Sequence, residues 1–135
     1  MPIFATRRSK HVRRTGATAV EFAIVAPIFF TLVIAALEFG RLNIILHTAD
    51  QAAYEAARHA KVPGATAAEA RKRAEGMLKI VGTRDAKVTI IGPTDDQVTV
   101  NVDVPLNKNG WIAPKFSKNK TIRASSTLKT ERPIE

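Results

Sequence analysis

From Ala17 to Leu37 the chain is apolar or small throughout, in the run ATAVEFAIVAPIFFTLVIAAL, with Glu21 as its one ionisable side chain. Twenty-one helical residues rising about 1.5 Å each cover roughly 31 Å, which matches the hydrocarbon thickness of a bilayer. The run therefore predicts a membrane-spanning helix, and the rest of the chain has to be read from its two ends.

Five basic residues, Arg7, Arg8, Lys10, Arg13 and Arg14, precede the run with no acid among them. Cations directly before a hydrophobic span mark a cytoplasmic flank, so these residues are the expected topology signal and the remainder of the chain is expected outside. Residues 1–15 show no periodicity, as suits a leader or cytoplasmic tail. They also carry much of the formal charge of +9: beyond Gly16 there remain 16 basic and 12 acidic residues, a net charge of +4. The basic side chains are not interleaved with stacking aromatics or set on a recognition helix, so no nucleic-acid partner is expected. Cysteine is absent, which excludes disulfides and thiolate metal sites.

Within the span, Pro27 removes a backbone donor and crowds the carbonyl of Ala23, so a mild kink is expected. In lipid a nearby Thr side chain or a neighbouring helix can satisfy the freed group. After Arg41 the helical pattern continues: Leu42, Ile45, Leu46, Ala49, Ala53, Ala56 and Ala60 recur at three- and four-residue steps until Pro63 and Gly64 end it. A second helix is signalled at Thr66, which with Glu69 three residues on forms a capping box. Its apolar face is Ala67, Ala70, Ala74, Met77, Leu78 and Val81, and Gly82 is a natural stop. The two alanine-rich faces are expected to pack together.

At Ala86 the period changes to two. Lys87 to Ile91 reads as a strand and Gly92 to Asp96 as a turn. Val98, Val100, Val102 and Val104 then alternate with polar residues in the clearest strand of the chain, closed by Pro105. Residues 106–119 read as a polar loop with Trp111 and Phe116 tucked beneath it. Thr121 to Thr130 alternates again, with Ile122, Ala124, Ser126 and Leu128 on one face. The expected fold is α+β: a long N-terminal transmembrane helix continues into an exported domain of a second helix and a small three-stranded antiparallel sheet. The expected divisions are a leader at 1–16, a span at 17–40 and the exported domain at 41–135.

Chemistry finds few carriers. His11, His47 and His59 have no ligating partner at helical spacing, and no phosphate loop or nucleophile elbow is present. Ser125 and Ser126 fall in a strand, Asp95 and Asp96 in a turn where calcium binding is a minor alternative, and Asn119 to Thr121 is a glycosylation triplet too short to carry weight. No catalytic residue, cofactor, metal or small-molecule substrate is expected. Glu21 stands apart: an acid one turn inside a span either snorkels to the headgroups or has a task.

A glycine followed by a small residue and a glutamate at the fifth place of a hydrophobic helix resembles the processing site of type IV pilin precursors. The longer run VEFAIVAPIFFTLVIAALEFGR resembles, more narrowly, the TadE-like minor pseudopilins of tight-adherence (Tad, or Flp) pilus systems. The likeness is good from Arg13 to about Lys61 and holds only in outline beyond. It implies a structural or assembly component of an adhesive pilus, seated in the cytoplasmic (inner) membrane, with a prepilin peptidase and other pilins or pseudopilins as partners. It further implies a cut between Gly16 and Ala17, after which Glu21 meets the new amine of a neighbouring subunit's Ala17. Glu38 and Arg41, three apart in the EFGR exit, read as a local pair marking where the helix leaves the membrane. Two other classes stay open: an uncleaved single-pass protein whose exported domain binds a partner, and a secreted domain with an ordinary signal peptide over residues 1–36, for which Ile34 to Ala36 offers an imperfect cleavage site.

Overall fold

The computed structural model describes residues 15–94, 96–111 and 120–130 of the chain. The elements, in order, are α1 (Thr15–Ala60), α2 (Ala67–Ile80), β1 (Lys87–Thr94), β2 (Gln97–Pro105), α3 (Leu106–Asn109) and β3 (Thr121–Lys129). The architecture is α+β, a long apolar N-terminal helix, a second helix and a three-stranded antiparallel sheet. The chain divides into two units, Met1–Ala35 and Ala36–Glu135, and α1 contributes to both.

In the first unit α1 carries its large apolar side chains exposed, including Phe22, Ile24, Val25, Ile28, Phe29 and Phe30. Phe29 and Phe30 meet edge to face with ring centroids 5.7 Å apart. Pro27 lies inside the helix without ending it. The Thr31 hydroxyl donates to the carbonyl of Pro27 itself at 2.7 Å, so the threonine serves the proline's own acceptor rather than that of Ala23.

In the second unit α1 runs to Ala60, and its C-terminal turn tightens where Val62 N–H donates to the His59 carbonyl at 3.3 Å. The capping box is formed: Glu69 N–H donates to the Thr66 hydroxyl oxygen at 3.2 Å, and Thr66 N–H donates to the Glu69 carboxylate at 3.1 Å. These bonds hold the Glu69 carboxyl below the usual carboxylate range, with the Thr66 backbone N–H as the leading cause. Helix α2 ends in a Schellman arrangement, with Thr83 N–H bonded to the Leu78 carbonyl at 3.2 Å and Gly82 N–H to that of Lys79 at 3.0 Å. Gly82 takes φ 70°, the left-handed conformation this motif needs.

The sheet has the order β1-β2-β3, with β2 central. Strand β1 extends past the expected Ile91 as far as Thr94, across a register irregularity between those residues, and Thr94 pairs with Gln97. The hairpin turn is thus tighter than Gly92 to Asp96. Asp96 occupies it at φ 57°, and Asp95 lies outside the described residues. On β2 the four valines are wholly buried while the residues between them are half-buried, as the alternation demands. Register sets Val88 and Ala124 beside Val102, Ile90 and Ser126 beside Val100, and Ile122 beside Val104. The outer face is polar, with the Thr99 and Thr127 hydroxyls 2.9 Å apart and Arg123 Nε 3.5 Å from the Asp103 carboxylate.

One core joins α1, α2 and the sheet. It includes Ile45, Ala49, Ala52, Ala53, Ala56 and Ala57 of α1, Ala70, Ala74 and Leu78 of α2, and the valines of β2. Burial on α1 is wider than the expected stripe, since Ala52 and Ala57 are buried too. A helix that serves both a second helix and a sheet must bury more than a narrow seam. Leu46, expected on that stripe, is exposed, as is Ala67 at the start of α2.

The expected loop at 106–119 begins with structure. Leu106–Asn109 forms the short helix α3, and Leu106 N–H donates to the Lys120 carbonyl at 2.9 Å. Trp111 is 63% exposed rather than tucked beneath a loop, and Phe116 lies outside the described residues.

Candidate functional site at the two ends of the apolar helix

Gly16 and Ala17 sit in the first turns of α1, and Glu21 follows one turn on, exposed and on the same helix. Among the described residues a Cβ built at Gly16 would meet nothing within 4 Å, so no described contact requires a glycine there. The topology residues Arg7, Arg8, Lys10, Arg13 and Arg14 lie outside the described residues, as does His11. The apolar window of α1 satisfies the length and composition of a membrane crossing, and none of it is buried among the described residues. The helix is thus compatible with a single-pass membrane protein.

At the start of the second unit, Glu38 and Arg41 each reach across to the α3 segment. The Glu38 side chain is buried, 7% exposed, and its two carboxylate oxygens accept from the Trp111 N–H at 2.9 and 3.0 Å. Arg41 Nε donates to the Asn109 carbonyl at 2.9 Å, and its guanidinium carbon stands 5.7 Å from the centroid of the Trp111 ring. The two exit residues therefore clamp a segment about seventy positions downstream.

Asn109 is the centre of that clamp. It is 2% exposed; its Oδ1 accepts from Arg84 N–H at 2.7 Å, while Nδ2 donates to the carbonyls of Arg84 and Pro105, each at 2.8 Å. One side chain thus ties the segment after α2 to the end of β2. Lys108 and Asp85 pair beside it. Sequence reasoning passed over Asn109 and the Trp111 N–H. The Asn-Gly pair at 109 and 110 signals a turn but says nothing of what the amide will bind.

The remaining candidates do not converge. His47 is exposed, and His59 is half-buried with its Nδ1 lacking a hydrogen-bond partner. Among the described residues no three of His, Cys, Asp and Glu group in a way that could hold a metal ion. Ser125 is exposed and Ser126 half-buried on β3. A groove of about 430 Å³ runs along the exit between α1 and the segments that carry Val81 and Trp111.

Residues 16–58 match the family described as TadE-like protein, a stretch that holds Gly16, Glu21, Glu38 and Arg41 together. Over that stretch the chain is similar to TadE-like proteins. The match suggests a component associated with Tad pili. No curated protein and no solved structure matches the chain.

Proposed function

We propose that this TadE-like chain is a minor pseudopilin of a Tad-type adhesive pilus, anchored in the inner membrane with its N-terminus cytoplasmic and residues 41–135 outside. A prepilin peptidase cuts it between Gly16 and Ala17. The observation that carries this reading is the pairing of a TadE-like match at 16–58 with a helix whose apolar window is not buried among the described residues. An uncovered surface of that size needs another cover, and lipid or the helices of other pilins supply it.

Glu21, exposed on the helix, meets the amine of a neighbouring subunit's Ala17. Two opposite charges desolvated together favour one register of packing and penalise the others. The signal-peptide alternative fits less well, since a cut near Ala36 would sever a helix whose later residues, Ile45 to Ala57, supply the core.

Two variants test the steps separately. Because no described contact requires a glycine at residue 16, Gly16→Val is expected to leave the fold intact, and its effect reads the peptidase. It is expected to leave a precursor heavier by the 16-residue leader, measured by intact mass from native membranes. Glu21→Gln keeps size and hydrogen bonding without the charge; it is expected to be cut and yet to lose crosslinking to partner pilins. Normal maturation of Gly16→Val would end the pseudopilin reading, and normal assembly of Glu21→Gln would end the ion-pair step alone.

A further inference from the structure

The groove at the exit is apolar where a water-facing groove would be expected to be polar. Leu37, Ile44, Val81 and Trp111 line it, and all but Val81 are more than half exposed. Ile80, next to Val81, is 85% exposed at the end of α2, the most exposed of the large apolar side chains described. Arg41 is the single charged residue of the lining, which holds no acid. Its Nε donates to the Asn109 carbonyl and its guanidinium stands by the Trp111 ring, and among the described residues no hydrogen bond runs from its terminal N–H groups.

Position along the chain says what medium this surface meets. Leu37 is the last residue of the apolar run, and Ile44 lies seven residues, or about 10 Å, further along the helix. A headgroup layer is roughly 5–7 Å deep on each side of the hydrocarbon. The groove therefore starts at the hydrocarbon edge and runs out through the headgroup layer, with Ile44 at its water-facing end. Tryptophan suits the headgroup layer, having an apolar ring and a polar N–H, and an arginine beside it matches the phosphate in charge and geometry.

We propose that phospholipid of the outer leaflet fills this groove, with its Leu37, Ile44, Val81 and Trp111 lining, and Ile80 next to it in the chain, crossing the headgroup layer from the hydrocarbon edge outward, and the terminal Arg41 N–H groups donating to a lipid phosphate. The inference rests on the reading of α1 as a membrane span. Its consequence is that the exported domain is docked on the membrane by a second contact besides its anchor.

Trp111 is the one tryptophan of the chain, so its emission reports the face directly. The full chain is placed in phosphatidylcholine and phosphatidylglycerol nanodiscs, some made with lipids brominated near the ester end of the acyl chain and some near the methyl end. Blue-shifted emission, strong loss of intensity with the first bromolipid, little loss with the second and little quenching by aqueous iodide are expected. Ile80→Asp, a change at an exposed side chain, is expected to weaken bromolipid quenching and raise iodide quenching. Full bromolipid quenching in that variant would overturn the shared face. Iodide quenching of the parent, without bromolipid quenching, overturns the docking while leaving the span intact. Emission shielded from both quenchers overturns it also, since the chain itself would then cover Trp111. Release of the chain from vesicles by alkaline carbonate would instead remove the span on which the inference rests.

Discussion

Replacing Asn109 with Ala tests whether the exit clamp holds the exported domain together or merely decorates it. The substitution removes three hydrogen bonds of 2.7 to 2.8 Å and leaves the Arg84 N–H and the Arg84 and Pro105 carbonyls without their partner. At about 1 kcal/mol net for each bond the loss would be about 3 kcal/mol. Arg84 is exposed, so water can recover part of its share, and about 2 kcal/mol is the expected cost. For a unit of about 100 residues that corresponds to a fall in Tm of roughly 8–16 °C.

The measurement is thermal unfolding of the full chain in detergent, followed both by Trp111 emission and by circular dichroism. Asn109→Asp sharpens it. Aspartate retains an acceptor for Arg84 N–H but turns a carboxylate oxygen toward two carbonyls, so it is expected to melt no higher than the alanine variant. A Tm unchanged by both probes in Asn109→Ala would refute the reasoning, because a side chain 2% exposed with three such bonds cannot be removed without cost unless the segment is already open. A shift in the emission transition alone would place the clamp in a local unit that opens before the domain.

Three further outcomes are expected. Ala53 is wholly buried in the joint core, so Ala53→Leu should overpack it and lower stability by about 1–3 kcal/mol in the same melting assay, whereas unchanged melting would mean that the face is not packed. The Glu69 carboxyl is held below its usual value of 4.5 in the folded state, so its contribution is complete above that pH and is lost as pH falls through the lowered folded value; Glu69→Gln should flatten this part of the stability–pH profile. A reporter fused after Glu135 should be active outside the cytoplasm, and activity only inside would reverse the proposed orientation.

The parts of the fold legible in the sequence are those set by neighbours a few residues apart. Alternation at Val98 to Val104 marks β2 as a strand with one buried face, because side chains two apart on a strand share a face. Thr66 and Glu69 satisfy each other's backbone donors within one turn, so the start of α2 needs no tertiary information. The extra burial of Ala52 and Ala57 was hidden for a different reason. It depends on the sheet sharing one core with α1, a fact carried by residues such as Val88 and Val98, far along the chain from Ala52 and Ala57. Glu38 and Arg41 mark the limit most clearly. Their spacing suggests a pair on one helix face, yet the bonds described for them run to Trp111 and Asn109. A charged side chain at a helix surface takes whichever partner the long-range fold delivers.

The size of the apolar side chains along α1 separates two environments that hydropathy alone merges. Between Val20 and Leu37 most of them are large, and the large ones are exposed among the described residues. Between Ala49 and Ala57 they are alanines, and those buried have no exposed surface at all. Packing against a second helix and a sheet rewards small residues, since each added methylene would have to be fitted into a space already filled to crystal-like density. A lipid surface imposes no such limit, because acyl chains conform to whatever shape they meet, and bulky side chains gain more apolar contact there. On the reading of α1 as a membrane span, the change from mostly Phe, Ile, Val and Leu to Ala marks where the helix stops facing a fluid apolar medium and begins facing its own domain. Glu38 and Arg41 fall between those two stretches, and that is where charge can be used to bind the chain to itself.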